Sequence, residues 1–317
     1  MASRQDLKLM VRVARRYYKD GETQAEIARE MGISRPKVSR ILQRARRMGI
    51  VEIRISDPFA QYSGLEQALI ETFGLIDAAV ASAAEDSPEM VRRRIGQRAA
   101  WYLESVLRDG DVVGIGWGRT LHAMVTSLQN SSTNRISVVP LIGGLGGIAP
   151  AFQVHELARM LAEAFGGTWQ SFYTPAILDD AEAWRSLQRS DDVTRMVEAW
   201  GALDVALVGI GNVTSEPAVQ MLFADYLDAE TQRRLREMRA VGDVCVRFFD
   251  IHGKLCPDVF AGVAGIQPPQ LRTVPRVIGV AGGHGKENAL LGALRARLID
   301  VLVTDEWAAT RVLELAR

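Results

Sequence analysis

Cysteine is nearly absent from this chain: Cys245 and Cys256 are the two in 317 residues. Two thiols cannot build a disulfide framework for a protein of this size, and neither sits in a C-x-x-C or Cys/His spacing that would hold a metal. Both are expected to be reduced and structural, and no cofactor is called for. Long apolar runs are lacking too. There is no stretch of about 18 apolar residues and no charged-then-apolar leader, so neither a membrane span nor a secretory signal is supported. The expected compartment is the cytoplasm, with no membrane partner. No internal repeat or low-complexity tract is present.

Net charge is missing as well, since 38 Lys and Arg balance 38 Asp and Glu. The balance hides an asymmetry: residues 1–56 hold 14 Lys and Arg against 6 Asp and Glu, leaving 24 against 32 over residues 57–317. A basic module beside an acidic one is the expected division when one part neutralises phosphates and the other must stay soluble and off the nucleic acid. With 48% hydrophobic residues, the chain can bury a large core beside a small N-terminal unit, so two domains are expected, 1–57 and 58–317.

The basic end carries the most informative stretch, residues 23–49, TQAEIAREMGISRPKVSRILQRARRMG. Thr23 can cap a first helix while Glu26 reaches back to it, with Ile27, Ala28 and Met31 as the buried stripe. Gly32 ends that helix and Ile33 plugs the turn. Ser34 is a good N-cap for a second helix, with Pro36 in its first turn. In that second helix Val38, Ile41, Leu42, Ala45 and Met48 share one face. Arg35, Lys37, Ser39, Arg40, Gln43, Arg44, Arg46 and Arg47 point outward, a mixture of cations and short hydrogen-bonders suited to a major groove and its flanking phosphates. Gly49 supplies the stop. Val51, Ile53 and Ile55 then alternate with polar residues as a short strand or wing, broken at Asp57 and Pro58. The alternative is a solvated basic face on an ordinary helical hairpin, but that reading leaves the coincidence of caps, glycine and cations unexplained. Gln24, Ser34, Arg35, Lys37, Ser39, Arg40 and Arg44 are the candidate contacts to operator DNA.

From Gly64 onward, short apolar runs alternate with amphipathic stretches, the pattern of a mostly parallel sheet flanked by helices. Strands are expected at 78–83, 111–115, 136–142, 205–210, 243–249, 277–281 and 301–304. Helices are expected at 88–107, 119–128, 153–165, 180–200, 285–298 and 306–316. Several strands run into glycine-rich loops: Gly116, Gly118, Arg119 and Thr120; Gly143 and Gly144; Gly211 and Asn212; and Gly282 to Lys286. In an open parallel sheet the carboxyl ends of the strands form the binding crevice, so four such loops suggest one ligand site. The first suits a phosphate, because glycines let backbone N–H groups approach closely while Arg119 adds charge and Thr120 a donor. It is not a dinucleotide fingerprint, since Arg119 stands where the last glycine belongs, and the fourth loop is not a P-loop. Lys286, in the first turn of its helix, opposes the helix dipole; it either faces solvent or meets an anionic ligand. Asp250 either makes a turn with Gly253 or accepts hydrogen bonds from ligand hydroxyls.

Together the segments YYKDGETQAEIAREMGISRPKVSRIL, GIGWGRT, VVPLIGG, DVALVGIGN, AVGDVCVRFFDIHG and VAGGHGKENALLGALRARLIDVLVTDEWAA resemble the SorC/DeoR-type sugar-binding transcriptional regulators over nearly the full length. The resemblance implies a helix-turn-helix joined to an effector domain related to sugar-phosphate isomerases and glucosamine-phosphate deaminases. It also implies a homo-oligomer, commonly a tetramer, and a DNA affinity changed by a phosphorylated sugar or polyol. By matching position, Gly116, Gly118, Arg119 and Thr120 would hold the phosphate, and Asp250 and Lys286 the sugar hydroxyls or carbonyl. The Glu287 and Asn288 pair after the lysine departs from many members, as does the lack of two glycines within residues 294–298. The implied function is regulation without catalysis; a repressor of a carbohydrate uptake or catabolism operon, released by its ligand, is the expectation, and an activator, or a repressor whose ligand tightens binding, would use the same parts. A sugar-phosphate isomerase or deaminase with a DNA-binding appendage is the alternative; it needs a general base, for which Asp250 and His284 are candidates, and kinship of fold does not transfer activity.

Overall fold

In the N-terminal unit of the computed structural model, Met1–Pro58, three helices each bury one apolar stripe against the other two. Across the whole chain the structure describes residues 4–18, 21–48, 50–51, 62–83, 87–128, 134–147, 149–213, 228–257, 259–260 and 262–317. The helix Arg4–Tyr18, which lies outside the sequence expectation, contributes Met10, Val13, Ala14 and Tyr17 at helical spacing. Gln24–Glu30 contributes Ile27 and Ala28, and Arg35–Arg47 contributes Val38, Leu42 and Ala45. Thr23 closes a capping box: its hydroxyl accepts from the Glu26 N–H at 3.3 Å and its own N–H donates to Glu26 Oε2 at 2.8 Å. Gly32 takes φ +63°, where a side chain is strained. The Ser34 carbonyl accepts from the Lys37 and Val38 N–H groups at 2.9 and 3.1 Å, starting the next helix. Arg16 ties the first helix to the second, donating to Glu22 at 2.8 Å and also to Glu30. The expected stop at Gly49, the wing residues Ile53 and Ile55, and the break at Asp57 and Pro58 lie outside the described residues, as do the side chains of Arg46 and Arg47.

The larger unit, Phe59–Arg317, contains the strands β1 (Asp77–Ala81), β2 (Val112–Ile115), β3 (Ser137–Pro140), β4 (Thr168–Trp169), β5 (Ile177–Leu178), β6 (Val205–Gly209), β7 (Gly211–Asn212), β8 (Ala240–Val244), β9 (Arg247–Asp250), β10 (Gly262–Val263), β11 (Val277–Val280) and β12 (Val301–Asp305). Seven form one sheet, ordered β1-β12-β11-β6-β2-β3-β4, with every pairing parallel. Helices Pro88–Val106, Arg119–Val125 and Val154–Ala164 cover one face; Ser63–Phe73, Asp191–Trp200, Glu287–Arg295 and Glu306–Ala316 cover the other. Covering both faces demands strands that are apolar nearly throughout, and β11 is buried at every position. The α/β expectation, a helix-turn-helix joined to a larger, mostly parallel domain, is borne out.

Two of the expected elements are each split in two. The run 243–249 is two strands, β8 and β9, paired antiparallel through Cys245 and Val246 at φ +49° and +62°. Positive φ at both central residues is the turn that Asn-Gly usually makes; without that signature the sequence does not mark it. Asp243 holds it by accepting the Val246 N–H at 3.1 Å. The run 180–200 is two helices, Ala181–Leu187 capped by Asp180, and Asp191–Trp200, whose start is set by the Ser190 carbonyl accepting from the Thr194 N–H at 2.9 Å.

The helices Pro88–Val106 and Arg119–Val125 cross at Gly96, where an added Cβ would lie 2.5 Å from the Ala123 carbonyl carbon. Gly96→Val is therefore expected to destabilise the larger unit by about 3 kcal/mol, read as a lower denaturation midpoint; an unchanged midpoint would show that the crossing opens without cost.

Candidate functional site

Adjacency in the sheet brings three of the four glycine loops together. Strands β11, β6 and β2 are neighbours, so their carboxyl ends deliver Gly282 to Lys286, Gly209 to Asn212, and Gly116 to Thr120 to one cavity of about 200 Å³. Gly116, Gly118, Arg119, Thr120, Gly211, Asn212 and Lys286 all line it, together with Arg92, Asp243, Cys245 and His284. The loops are laced to one another: Asn212 Nδ2 donates to the Gly285 carbonyl, and Lys286 Nζ donates to the Ile210 carbonyl at 2.8 Å. Lys286 is the N-cap residue of the helix Glu287–Arg295.

Three of the expected effector residues lie outside this lining. Gly143 and Gly144 do not line this cavity. They pack backbone against backbone: a Cβ on Gly143 would lie 2.2 Å from the Thr174 carbonyl oxygen, and Gly144 bridges to Pro175. Asp250 is likewise absent from the lining. Its Oδ1 accepts the N–H groups of His252 and Lys254, both at 2.9 Å, so the carboxylate shapes its own turn.

The acid that does reach the cavity is Asp243, only 3% exposed. Its Oδ2 accepts the Val246 N–H, while its Oδ1 is buried with no hydrogen-bond partner. Gly211 is required beside it, because a Cβ there would lie 1.8 Å from that oxygen. Burial pushes the Asp243 carboxyl up to about 6, against the opposing pull of the Val246 N–H and the Lys286 charge. A lone acid inside an apolar strand is the one sequence signal that could have found it, since such burial is costly without a role. Asp305 is a second residue that sequence reasoning misses. Fully buried, it accepts from the N–H groups of Trp307 and Ala308, both at 3.1 Å, and from the Gly283 N–H. It thereby caps the helix Glu306–Ala316 and pins the loop bearing Lys286. The His284 ring lies 3.9 Å from that of Trp307, centroid to centroid.

Around the cavity, Arg92, Arg119 and Lys286 stand against one carboxyl, Asp243. The chemistry suits an anion at the arginine side and a hydroxyl donor at Asp243 Oδ1. Among the described residues no His, Cys, Asp and Glu cluster could hold a metal, and no helix is long and apolar enough to cross a membrane.

In the N-terminal unit, Arg35, Lys37, Arg40 and Arg44 are exposed on the helix Arg35–Arg47, opposite Val38, Leu42 and Ala45. Ser34 is exposed at its start, and Ser39 and Gln24 are half-buried. A helix of this length is about 20 Å long and fits a major groove about 12 Å wide.

Residues 57–314 match the family model of a sugar-binding domain, and residues 11–54 that of a helix-turn-helix domain. The chain is 35% identical over 324 residues to the sorbitol operon regulator of Klebsiella pneumoniae, covering 99% of this chain and 100% of the relative. It is 32% identical over 307 residues to the deoxyribonucleoside regulator of Bacillus subtilis, covering 96% and 97%. The crystal structure of the full-length sorbitol operon regulator SorC from Klebsiella pneumoniae superposes with a TM-score of 0.77, covering 97% of this chain and 99% of that one.

A carboxyl raised to about 6 favours its protonated form in the fold, so its contribution to stability is intact below the ordinary carboxylate range and lost as pH rises through 6. Above that, the buried carboxylate costs about 3 kcal/mol. Asp243→Asn is expected to unfold at higher temperature than the parent at pH 8, with the gap closing by about pH 4; a gap independent of pH would dismiss the buried charge as its cause.

Proposed function

The chain belongs to the SorC/DeoR-type sugar-binding transcriptional regulators, and we propose that it represses a carbohydrate uptake or catabolism operon, releasing its operator when a phosphorylated sugar or polyol fills the cavity of the larger unit. The observation that carries this reading is the pairing, in one cavity, of three cations with a buried carboxylate oxygen that lacks a partner. The backbone N–H groups and side chain of Arg119, with Thr120, take the phosphate. Asp243 Oδ1 accepts a ligand hydroxyl, and Lys286 exchanges its bond to the Ile210 carbonyl for the ligand. The relatives, a sorbitol operon regulator and a deoxyribonucleoside regulator, support a carbohydrate-derived effector and a regulatory rather than catalytic role.

Linkage sets the mechanism. A ligand changes operator affinity only by the difference in its own affinity for the two arrangements of the protein. The laced loops supply an element whose arrangement a ligand can bias, because entering groups compete directly for the Lys286 ammonium. The DNA end contributes exposed cations on the helix Arg35–Arg47, which grip phosphates while Ser39 and Gln43 face base edges.

Thermal unfolding against sorbitol, ribose, deoxyribose and glucose, each with and without its phosphate, tests the effector site. One phosphate ester at a hundredfold excess over its dissociation constant is expected to add about 2.7 kcal/mol of stability, abolished in Arg119→Ala and in Asp243→Asn. No response to any ester would sink the phosphosugar assignment. At the other end, Arg40→Ala and Arg44→Ala should each weaken binding to duplex DNA and flatten its salt dependence by about one counterion for every phosphate left unneutralised; unchanged binding would remove that helix from the interface.

A further inference from the structure

Between the two places where the cavity can hold a ligand lies an uncharged wall. Arg119 and Thr120 mark one place, and Asp243, which feels the Lys286 charge, marks the other. Cys245 stands between them. It lines the cavity two residues after Asp243, in the turn that Asp243 holds. It also reaches the phosphate loop, since a Cβ added to Gly116 would lie 3.7 Å from both Cys245 Sγ and Leu121 Cδ1. Leu121, Ile210 and Val280, all buried, add to the apolar lining. Burial and the neighbouring Asp243 charge push the Cys245 thiol up to about 12. At neutral pH it is therefore an uncharged S–H, a weak donor and a weak acceptor.

We propose that the effector is a deoxygenated sugar phosphate, and that Cys245 selects it by facing a carbon that carries no hydroxyl. This rests on the reading given above, in which the Arg119 loop holds the phosphate and Asp243 accepts a hydroxyl. A ligand joined to both anchors has to cross Cys245. One hydroxyl is matched at Asp243, which is 3% exposed and whose Oδ1 has no hydrogen-bond partner. A further hydroxyl on the carbons between the anchors would give up water for a thiol and methyl groups, and would stay unpaired. A bare C–H packs against the same wall without that loss. Apolar pockets reject an added hydroxyl by up to about a hundredfold, which sets the scale of the preference.

The test is isothermal titration of the full chain with ribose 5-phosphate and glucose 6-phosphate, each beside its 2-deoxy and 3-deoxy counterparts. At least one deoxy ester is expected to bind roughly tenfold or more tighter than its hydroxylated partner. Cys245→Ser exchanges the thiol for a hydroxyl of similar shape. It should tighten the hydroxylated ester and bring the ratio to within about threefold, whereas Cys245→Ala keeps the wall apolar and should preserve the preference. Hydroxylated esters that bind the parent as tightly as every deoxy counterpart, or a preference that Cys245→Ser leaves intact, would overturn the proposal while leaving the phosphosugar reading in place. Binding of none of these esters would remove that reading and the proposal with it.

Discussion

A parallel sheet covered by helices on both faces has no room for charge along its strands, so polar chemistry must gather past their carboxyl ends. That constraint organises the larger unit. Strands β2, β6 and β11 are separated by long stretches of chain yet lie side by side, and their loops meet for that reason alone. Three links rely on that meeting: Lys286 reaching the Ile210 carbonyl, Asn212 reaching Gly285, and Asp305 holding Gly283 from the start of the last helix.

The cavity is held at a cost in stability. Asp243 keeps a carboxyl in surroundings that penalise its ionised form, and the turn beside it places Cys245 and Val246 in a region of backbone space that β-branched residues avoid. Lys286 and the Val246 N–H offset part of that penalty. Structures keep such unfavourable arrangements mainly where they serve a site. The N-terminal unit follows the opposite rule. Its core is apolar, Arg35, Lys37, Arg40 and Arg44 are exposed, and phosphate-seeking charge there carries almost no desolvation penalty.

Much of this was legible in the sequence, for local reasons. The capping box at Thr23, the left-handed Gly32 and the stripe of Val38, Leu42 and Ala45 follow from spacing within single helices, and the structure contains them. Six of the seven strands of the main sheet were legible because burial on both faces leaves them nearly continuously apolar; the exposed edge strand β4 was not. Legibility ended where one local pattern serves two ends. Gly143 and Gly144 read like the other glycine loops, but β3 lies beyond β2 in the sheet, and there Gly143 admits a neighbouring backbone at 2.2 Å from where a Cβ would be. Asp243 and Asp250 are acids at the two ends of one apolar run; a turn with no Asn-Gly signature folds that run back on itself, sending the first to the cavity and leaving the second to its own turn.

The sequence by itself determined what short-range sterics and periodicity determine: the caps and buried stripe of the helix-turn-helix, the long apolar strands of the main sheet, and that one end of the chain is basic and the other acidic. The order of strands in the sheet, the choice of Asp243 over Asp250, the pinning of the loop by Asp305, and the elevation of a carboxyl to about 6 were decided by tertiary structure. These depend on which distant segments become neighbours and on how far water is excluded between them, and both are properties of the packed fold rather than of any window of residues.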